Sequence, residues 1–137
     1  MTATERQSGR VRLGPIPRAT KEHTARTAIE LLQREKHPVR TITADNGTEF
    51  HSYPDLENGL GMKVYFATPH HAWERGSNEH CNGLIRQYFP KGINLSRVTQ
   101  EECHQVADQL NNRPRLRHSF QTPNEVYFQG LNVALQM

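Results

Sequence analysis

Apolar positions along the chain change their period several times, and each change marks an element. Val11 and Leu13 alternate with arginines and then meet Gly14-Pro15-Ile16-Pro17, which predicts a short strand that ends early. Residues 20–36 are predicted helical: Thr20 can cap, Ala25, Ala28, Ile29 and Leu32 share a face, and Pro38 stops the helix. Residues 39–44 are rich in β-branched side chains and read as a strand. Residues 53–60 follow as a short, weak helix, and residues 62–67, with Val64, Tyr65 and Phe66, as another strand. Ser77 is placed to cap a helix whose buried stripe is Cys81, Leu84, Ile85, Tyr88 and Phe89, at i, i+3, i+4, i+7, i+8 spacing. Thr99 and Glu102 have the spacing of a capping box before a last helix striped by Cys103, Val106, Ala107 and Leu110, which Pro114 ends. Strand, helix, strand, helix, strand and then helices describe an α/β layer with at least two parallel neighbours.

Composition qualifies that picture. The 137 residues are one domain's worth, but the apolar fraction is 34%. Even with glycine it reaches only about 40%, against a usual ~45 to 50%, so part of a core is expected to be missing. The net charge of +3 hides an uneven distribution: residues 1–40 carry nine Lys/Arg and four acids, residues 41–74 one and five, and residues 75–137 seven and five. An acidic middle between basic ends suits a site that holds cations beside a polyanion, although scattered solvated charge gives the same totals. Cys81 and Cys103 form no CxxC pair, and no signal peptide or spanning segment is apparent, which predicts a reduced, cytoplasmic protein with no membrane association. His80-Cys81 and Cys103-His104 raise a zinc-stabilised module as one reading. Adjacent ligands diverge on a helix, however, and both cysteines fall on apolar stripes where a small buried thiol is the simpler account.

Two acids stand out by position. The segment TITADNGTEF, residues 41–50, places Asp45 just past a strand, and ligands of open α/β sheets gather at such carboxyl ends. Asn46-Gly47 is expected to turn the chain sharply, because both residues tolerate positive φ. Glu79 sits in the first turn of its helix. At 100° per residue it clusters with Asn82, Gly83 and Arg86 on the side away from the apolar stripe, where the helix dipole favours a carboxylate. Gly83 costs about 1 kcal/mol relative to alanine and lets another chain approach closely. Taken singly, Asp45 is an Asx-turn residue and Glu79 a surface glutamate. As a pair on rigid elements they are the kind of oxygen ligands a hard divalent cation takes.

The segments ITADNGTEF, TPHHAWERGSNEHCNGLIRQYFPKGINL and LNNRPRLRHSFQTPNEVYF closely resemble the catalytic domain of the Insertion Sequence Thirty family of bacterial DDE transposases, in register over residues 5–128. In that pattern the second acid of the triad falls on Asp45 and the third on Glu79, with 33 residues between them. The resemblance implies a ribonuclease H-like, integrase-core α/β fold and cutting and joining of DNA at the ends of an insertion element. Mg²⁺ is the implied cofactor, with Mn²⁺ able to replace it, and Asp45 and Glu79 are its implied ligands. The chemistry is in-line phosphoryl transfer at two ions about 3.5 to 4 Å apart. The implied partners are element ends, target DNA and further copies of the chain on DNA, and the implied location is the bacterial nucleoid.

The family's first acid lies on the first strand of the fold, and no aspartate precedes Asp45 here. Glu5 aligns with the end of the next strand rather than with the triad. The fold is therefore expected to be incomplete, lacking its first strand, across a single partial core of residues 1–137, with the amino-terminal helix-turn-helix region absent. A remnant that binds DNA or a full-length transposase without catalysis is the alternative function.

Basic side chains supply candidate DNA contacts. Arg75 and Asn78 flank the start of the catalytic helix, Arg86 shares the face of Glu79, and Lys91 follows Pro90 in a loop. Arg113 and Arg115, with Arg117 and His118, are expected on an exposed segment after the last helix. Trp73 reads as a packing residue under its loop rather than as a base-stacking platform.

Overall fold

The computed structural model describes residues 1–16, 18, 20–35, 37–71 and 76–136. They group into two compact units, one made of Met1 with Gly14–Gly76 and the other of Thr2–Leu13 with Ser77–Met137.

The first unit is a parallel strand pair with two helices. Helix α1 spans Lys21–Leu32, strand β3 Thr41–Ala44, helix α2 Tyr53–Leu60 and strand β4 Lys63–Phe66. Helix α1 starts where expected, because Thr20 accepts the His23 N–H. It stops at Leu32 rather than near residue 36, and Glu35 N–H bonds back to Leu32 O in a tightened turn ahead of Pro38. Its buried side is Thr24, Ala25, Ala28 and Leu31, so the inward face is turned slightly from the expected stripe, and Ile29 and Leu32 are half-buried. Strands β3 and β4 pair in parallel, with Thr41 opposite Lys63 and Ala44 opposite Phe66. Lys63 and Ala67 direct their N–H groups to Arg40 O and Ala44 O. Alternation along the strand sends the Val64 N–H the other way, where Glu57 Oε1 of α2 accepts it at 3.0 Å. Gly61, at φ 61°, closes α2 in the left-handed conformation that glycine adopts without strain. Ala25, Ala28, Leu56 and Met62 form the core, with Ile29, Val39, Ile42, Leu60 and Val64 packed on it.

The second unit is an antiparallel hairpin with three helices. Strand β1, Thr2–Thr4, pairs with β2, Val11–Leu13, and helices α3, Gly76–Ile85, α4, Gln100–Asn111, and α5, Pro123–Gln136, follow. The hairpin turn is organised by Glu5, whose carboxylate accepts the N–H of Gln7, the N–H of Ser8 and the Ser8 hydroxyl. Both expected apolar stripes meet in one core: Cys81, Cys103, Val106, Ala107 and Leu110 pack with Val11 and Leu13, and Leu84, Ile85, Tyr88 and Phe89 lie against them. Helix α4 also covers the outer edge of β2. Asn111 takes both the Val11 N–H and the Val11 carbonyl, and Gln100 donates to Leu13 O. The Thr99–Glu102 capping box is present as its spacing predicts.

Strand β1 ends just before Glu5, where the resemblance puts the end of a strand, although the apolar pattern alone does not mark it; α5 is unmarked by either and follows a segment read as merely exposed. The start of α5 had a signal: Pro123 sits at its first position, while Thr122 and Glu125 exchange reciprocal cap bonds. Arg10 reaches α5 from the hairpin, with its guanidinium 4.6 Å from the Tyr127 ring centre and its Nε donating to Asn124. No described helix is long and apolar enough to cross a membrane.

Candidate active site

Strand β3 delivers Asp45 to the end of the parallel pair, since the Ala67 N–H on Ala44 O is the last rung of the ladder. Asp45 is half-buried, and its Oδ1 accepts the Gly47 N–H at 3.3 Å. The next side chain, Asn46, donates from Nδ2 to Ala67 O at 2.9 Å and so ties the ends of β3 and β4 together. The expected positive φ is not used: Gly47 has φ −66° and ψ 143°, and Asn46 is not among the positive-φ residues. The turn is made by side chains instead. An Asx bond from Asp45 and an amide tether from Asn46 bend the chain without left-handed backbone.

Beside Asp45 the same unit forms an open concavity of about 280 Å³ lined by Asn46, His51, Tyr53 and Phe66. The Tyr53 and Phe66 rings meet edge to face, with centres 5.7 Å apart.

In the second unit, Glu79 lies in the first turn of α3 and is exposed, while Cys81 on the opposite face is 5% exposed. Burial of the stripe therefore aims Glu79 outward, as the helical periodicity predicts. Ser77 lies inside the helix rather than capping it, because α3 begins at Gly76. Gly83 and Arg86 are exposed with Glu79, and a Cβ on Gly83 would meet open space. Asn78 is half-buried and shares a 3.5 Å contact with the Thr4 hydroxyl of β1, so it is directed toward the hairpin.

The structure thus assigns Asp45 to the first unit, and Glu79, Asn78, Arg86, Lys91, Arg113 and Arg115 to the second. Arg75 and Trp73 lie outside the described residues. Arg86 and Lys91 are exposed in the turns after α3, and exposed Arg113 donates to Gln87 Oε1, next in sequence to Arg86. The segment after α4 is less uniformly exposed than expected. Arg115 is half-buried and donates to Leu110 O, satisfying a carbonyl in the last turn of α4. Burial, followed by neighbouring Arg113, pushes its pKa down.

Arg117 donates to Arg6 O and Gln7 O, and His118 Nε2 lies 2.8 Å from Ser8 O, so both fasten the hairpin turn. Within that turn, burial alone would raise the Glu5 pKa, but the bonds from Ser8 and Gln7, with Arg117 nearby, outweigh it and hold the carboxyl below its ordinary range. Burial raises the pKa of both Cys81 and Cys103, as expected of packed thiols. Among the described residues, no three His, Cys, Asp or Glu side chains cluster as a metal site.

Comparison with known proteins places these features in context. No family model matches the chain. In sequence it is 42% identical over 132 residues to the transposase for insertion sequence element IS4351 of Bacteroides fragilis, covering 96% of this chain and 40% of that protein. It is 47% identical over 92 residues to transposase InsI for element IS30A of Escherichia coli K12, covering 67% of this chain and 24% of that one. The chain therefore spans about two fifths or less of these relatives. In structure it matches the catalytic core domain of BIV integrase with a TM-score of 0.73 at 23% identity, over 98% of this chain and 88% of that one. The fold is that of an integrase catalytic core, ribonuclease H-like, as the resemblance implied.

Proposed function

The chain belongs to the IS30-like insertion-sequence transposases, and from that premise we propose that it serves the cutting and joining of DNA during transposition of an insertion element. The observation that carries this reading is Asp45, a carboxylate fixed by its own turn at the carboxyl end of a parallel strand in an integrase-core fold. Glu79 is the second acid of the proposal, presented outward from a helix whose other face is buried.

Each acid, taken by itself, is of the kind a hard divalent cation takes. Asp45 and Glu79 offer oxygens only, and Mg²⁺ is commonly held by one or two carboxylates with water and phosphate completing its shell. When bound, Mg²⁺ or Mn²⁺ would supply Lewis-acid activation of the attacking oxygen and charge stabilisation at the leaving oxygen. The chain's own part is positioning. The Gly47 N–H and the Asn46 tether keep the Asp45 carboxylate at the strand end, and packing of Cys81, Leu84 and Ile85 keeps Glu79 facing solvent. Arg86, Lys91 and Arg113 are exposed cations suited to DNA phosphates, with the DNA ends, target DNA and further copies of the chain as partners.

The test is a nicking assay on element-end DNA in Mg²⁺ or Mn²⁺, paired with DNA-binding measurements. Any nicking by the wild-type chain is expected to require metal, and Asp45→Asn or Glu79→Gln to abolish it while leaving DNA affinity within about threefold, since neither acid is a phosphate contact. Metal-dependent nicking that survives Asp45→Asn would overturn the assignment. DNA binding without any nicking would leave the non-catalytic alternative, a DNA- or transposase-binding remnant.

A further inference from the structure

We propose that the concavity beside Asp45 is a subsite for an unpaired nucleobase of the DNA strand, an inference that rests on the DNA-processing reading above.

Four observations point to this ligand. First, the concavity shares its strand end with the carboxylate: Asn46 follows Asp45 directly, and Phe66 is the register partner of Ala44, the residue before it. Second, two aromatic rings are kept at the surface there, with Tyr53 40% and Phe66 37% exposed, although the unit's apolar core lies among Ala25, Ala28, Leu56 and Met62. The rings stand 85° apart, so a planar guest lying on one face meets the other ring at its edge. Third, the polar groups are arranged for hydrogen bonding rather than for charge. With Nδ2 of Asn46 engaged by Ala67 O, its Oδ1 is the acceptor offered to a guest, of the kind an exocyclic amino group satisfies, and the His51 ring can add a second bond. Fourth, among the described residues the lining includes neither lysine nor arginine, and residues 41–74 carry five acids against one Lys/Arg. That local charge disfavours a phosphate and favours a neutral planar group.

A volume of about 280 Å³ holds one base but not a base pair edge-on with its backbone. The guest is therefore an unpaired or splayed nucleotide, held by stacking in the way that single-strand binders hold bases.

The probe is a DNA duplex with a short unpaired 3′ overhang carrying 2-aminopurine, compared with the same duplex bearing an abasic site at that position. Wild-type chain is expected to quench 2-aminopurine fluorescence and to bind the base-bearing overhang about tenfold more tightly than the abasic one. Tyr53→Leu and Phe66→Leu, which keep apolar volume but remove a ring, are each expected to abolish quenching and bring the ratio near one. Tyr53→Phe is expected to retain both. Equal wild-type affinity for base and abasic overhangs, or full quenching in both leucine variants, overturns the subsite. If the chain binds neither duplex, the DNA-processing reading falls with it; if it binds both equally, the subsite alone falls. The comparison of the two DNAs on wild-type chain needs no substitution, so a misfolded variant does not rescue the proposal.

Discussion

Replacing Asn111 with alanine isolates the way α4 seals the free edge of β2. Asn111 is 3% exposed and Val11 is 1% exposed. The Asn111 amide receives the Val11 N–H at 2.7 Å and donates to the Val11 carbonyl at 2.9 Å, so one side chain satisfies two buried backbone groups. Alanine leaves both groups without a partner. Each unsatisfied buried group costs about 1 to 3 kcal/mol, and water entering the vacated space recovers part of that, so a loss of about 2 to 4 kcal/mol is expected. Asn111→Leu separates cavity from polarity, because it fills the volume yet leaves the same two groups unpaired, and should be nearly as damaging. Gln105→Ala, at an exposed position of the same helix, should stay within about 0.5 kcal/mol of wild type. Urea denaturation gives the energies, and hydrogen exchange of the Val11 amide reports the bond itself. The reasoning fails if Asn111→Ala matches Gln105→Ala, or if the Val11 amide stays as protected in the variant as in wild type.

Other substitutions test single features. Thr24 is 2% exposed and its hydroxyl has no hydrogen-bond partner among the described residues, so Thr24→Val should raise stability by about 1 kcal/mol in thermal or urea melts. Gly47→Ala should be neutral or slightly stabilising, up to about 1 kcal/mol, because φ −66° suits any residue; a clear destabilisation would mean the turn needs glycine after all. Gly83→Ala should stabilise α3 by about 0.5 to 1 kcal/mol, and if the Glu79 face receives DNA it should also weaken DNA binding in a titration. The depressed Glu5 pKa predicts a pH signature. Its stabilisation is present above the unfolded value of about 4.3 and is lost as pH falls through the lower folded value, so the Tm gap between wild type and Glu5→Gln should be largest near neutrality and close in acid.

Elements with a strong period were legible in the sequence, and those defined by a few polar contacts were not. The stripes of α3 and α4 marked most of the second unit's core, because burial every three or four positions leaves a repeated mark, although α3 stops at Ile85 and Tyr88 and Phe89 pack from the turns beyond it. Helix α2 and the pairing of β3 with β4 followed from similar logic. Strand β1, Thr-Ala-Thr, has no large apolar side chain to mark a face, unlike the equally short β2 with Val11 and Leu13. The edge-sealing roles of Asn111 and Glu57 depend on contacts 100 and 7 residues away, and nothing local distinguishes such residues from solvated ones. Asp45 is legible because strand end and turn residues are adjacent in sequence, but the form of its turn is not: Asn-Gly suggests positive φ, whereas the side chains do the bending. Arg115 was expected outside for a comparable reason, since composition shows a cluster of arginines without showing which one a helix end recruits.

The two acids of the proposed site are held by different physics, and that makes them separable. Asp45 depends on directed hydrogen bonds, one from the Gly47 N–H and one between Asn46 and Ala67, which fail when a donor or acceptor is removed. Among the described residues Glu79 is aimed by packing: Cys81, Leu84 and Ile85 bury the opposite face of α3, so its direction is expected to fail when the stripe is disturbed. Enlarging Cys81, 5% exposed in a filled core, should therefore misdirect Glu79 while leaving the Asp45 turn as it is, and removing the Asn46 amide should do the reverse. A helix face needs only a hydrophobic partner to be aimed, whereas a residue beyond a strand end has no periodic packing to fix it and must be tied by its neighbours. The sequence DNG meets that need by putting the acceptor, the tether and the donor on three consecutive residues.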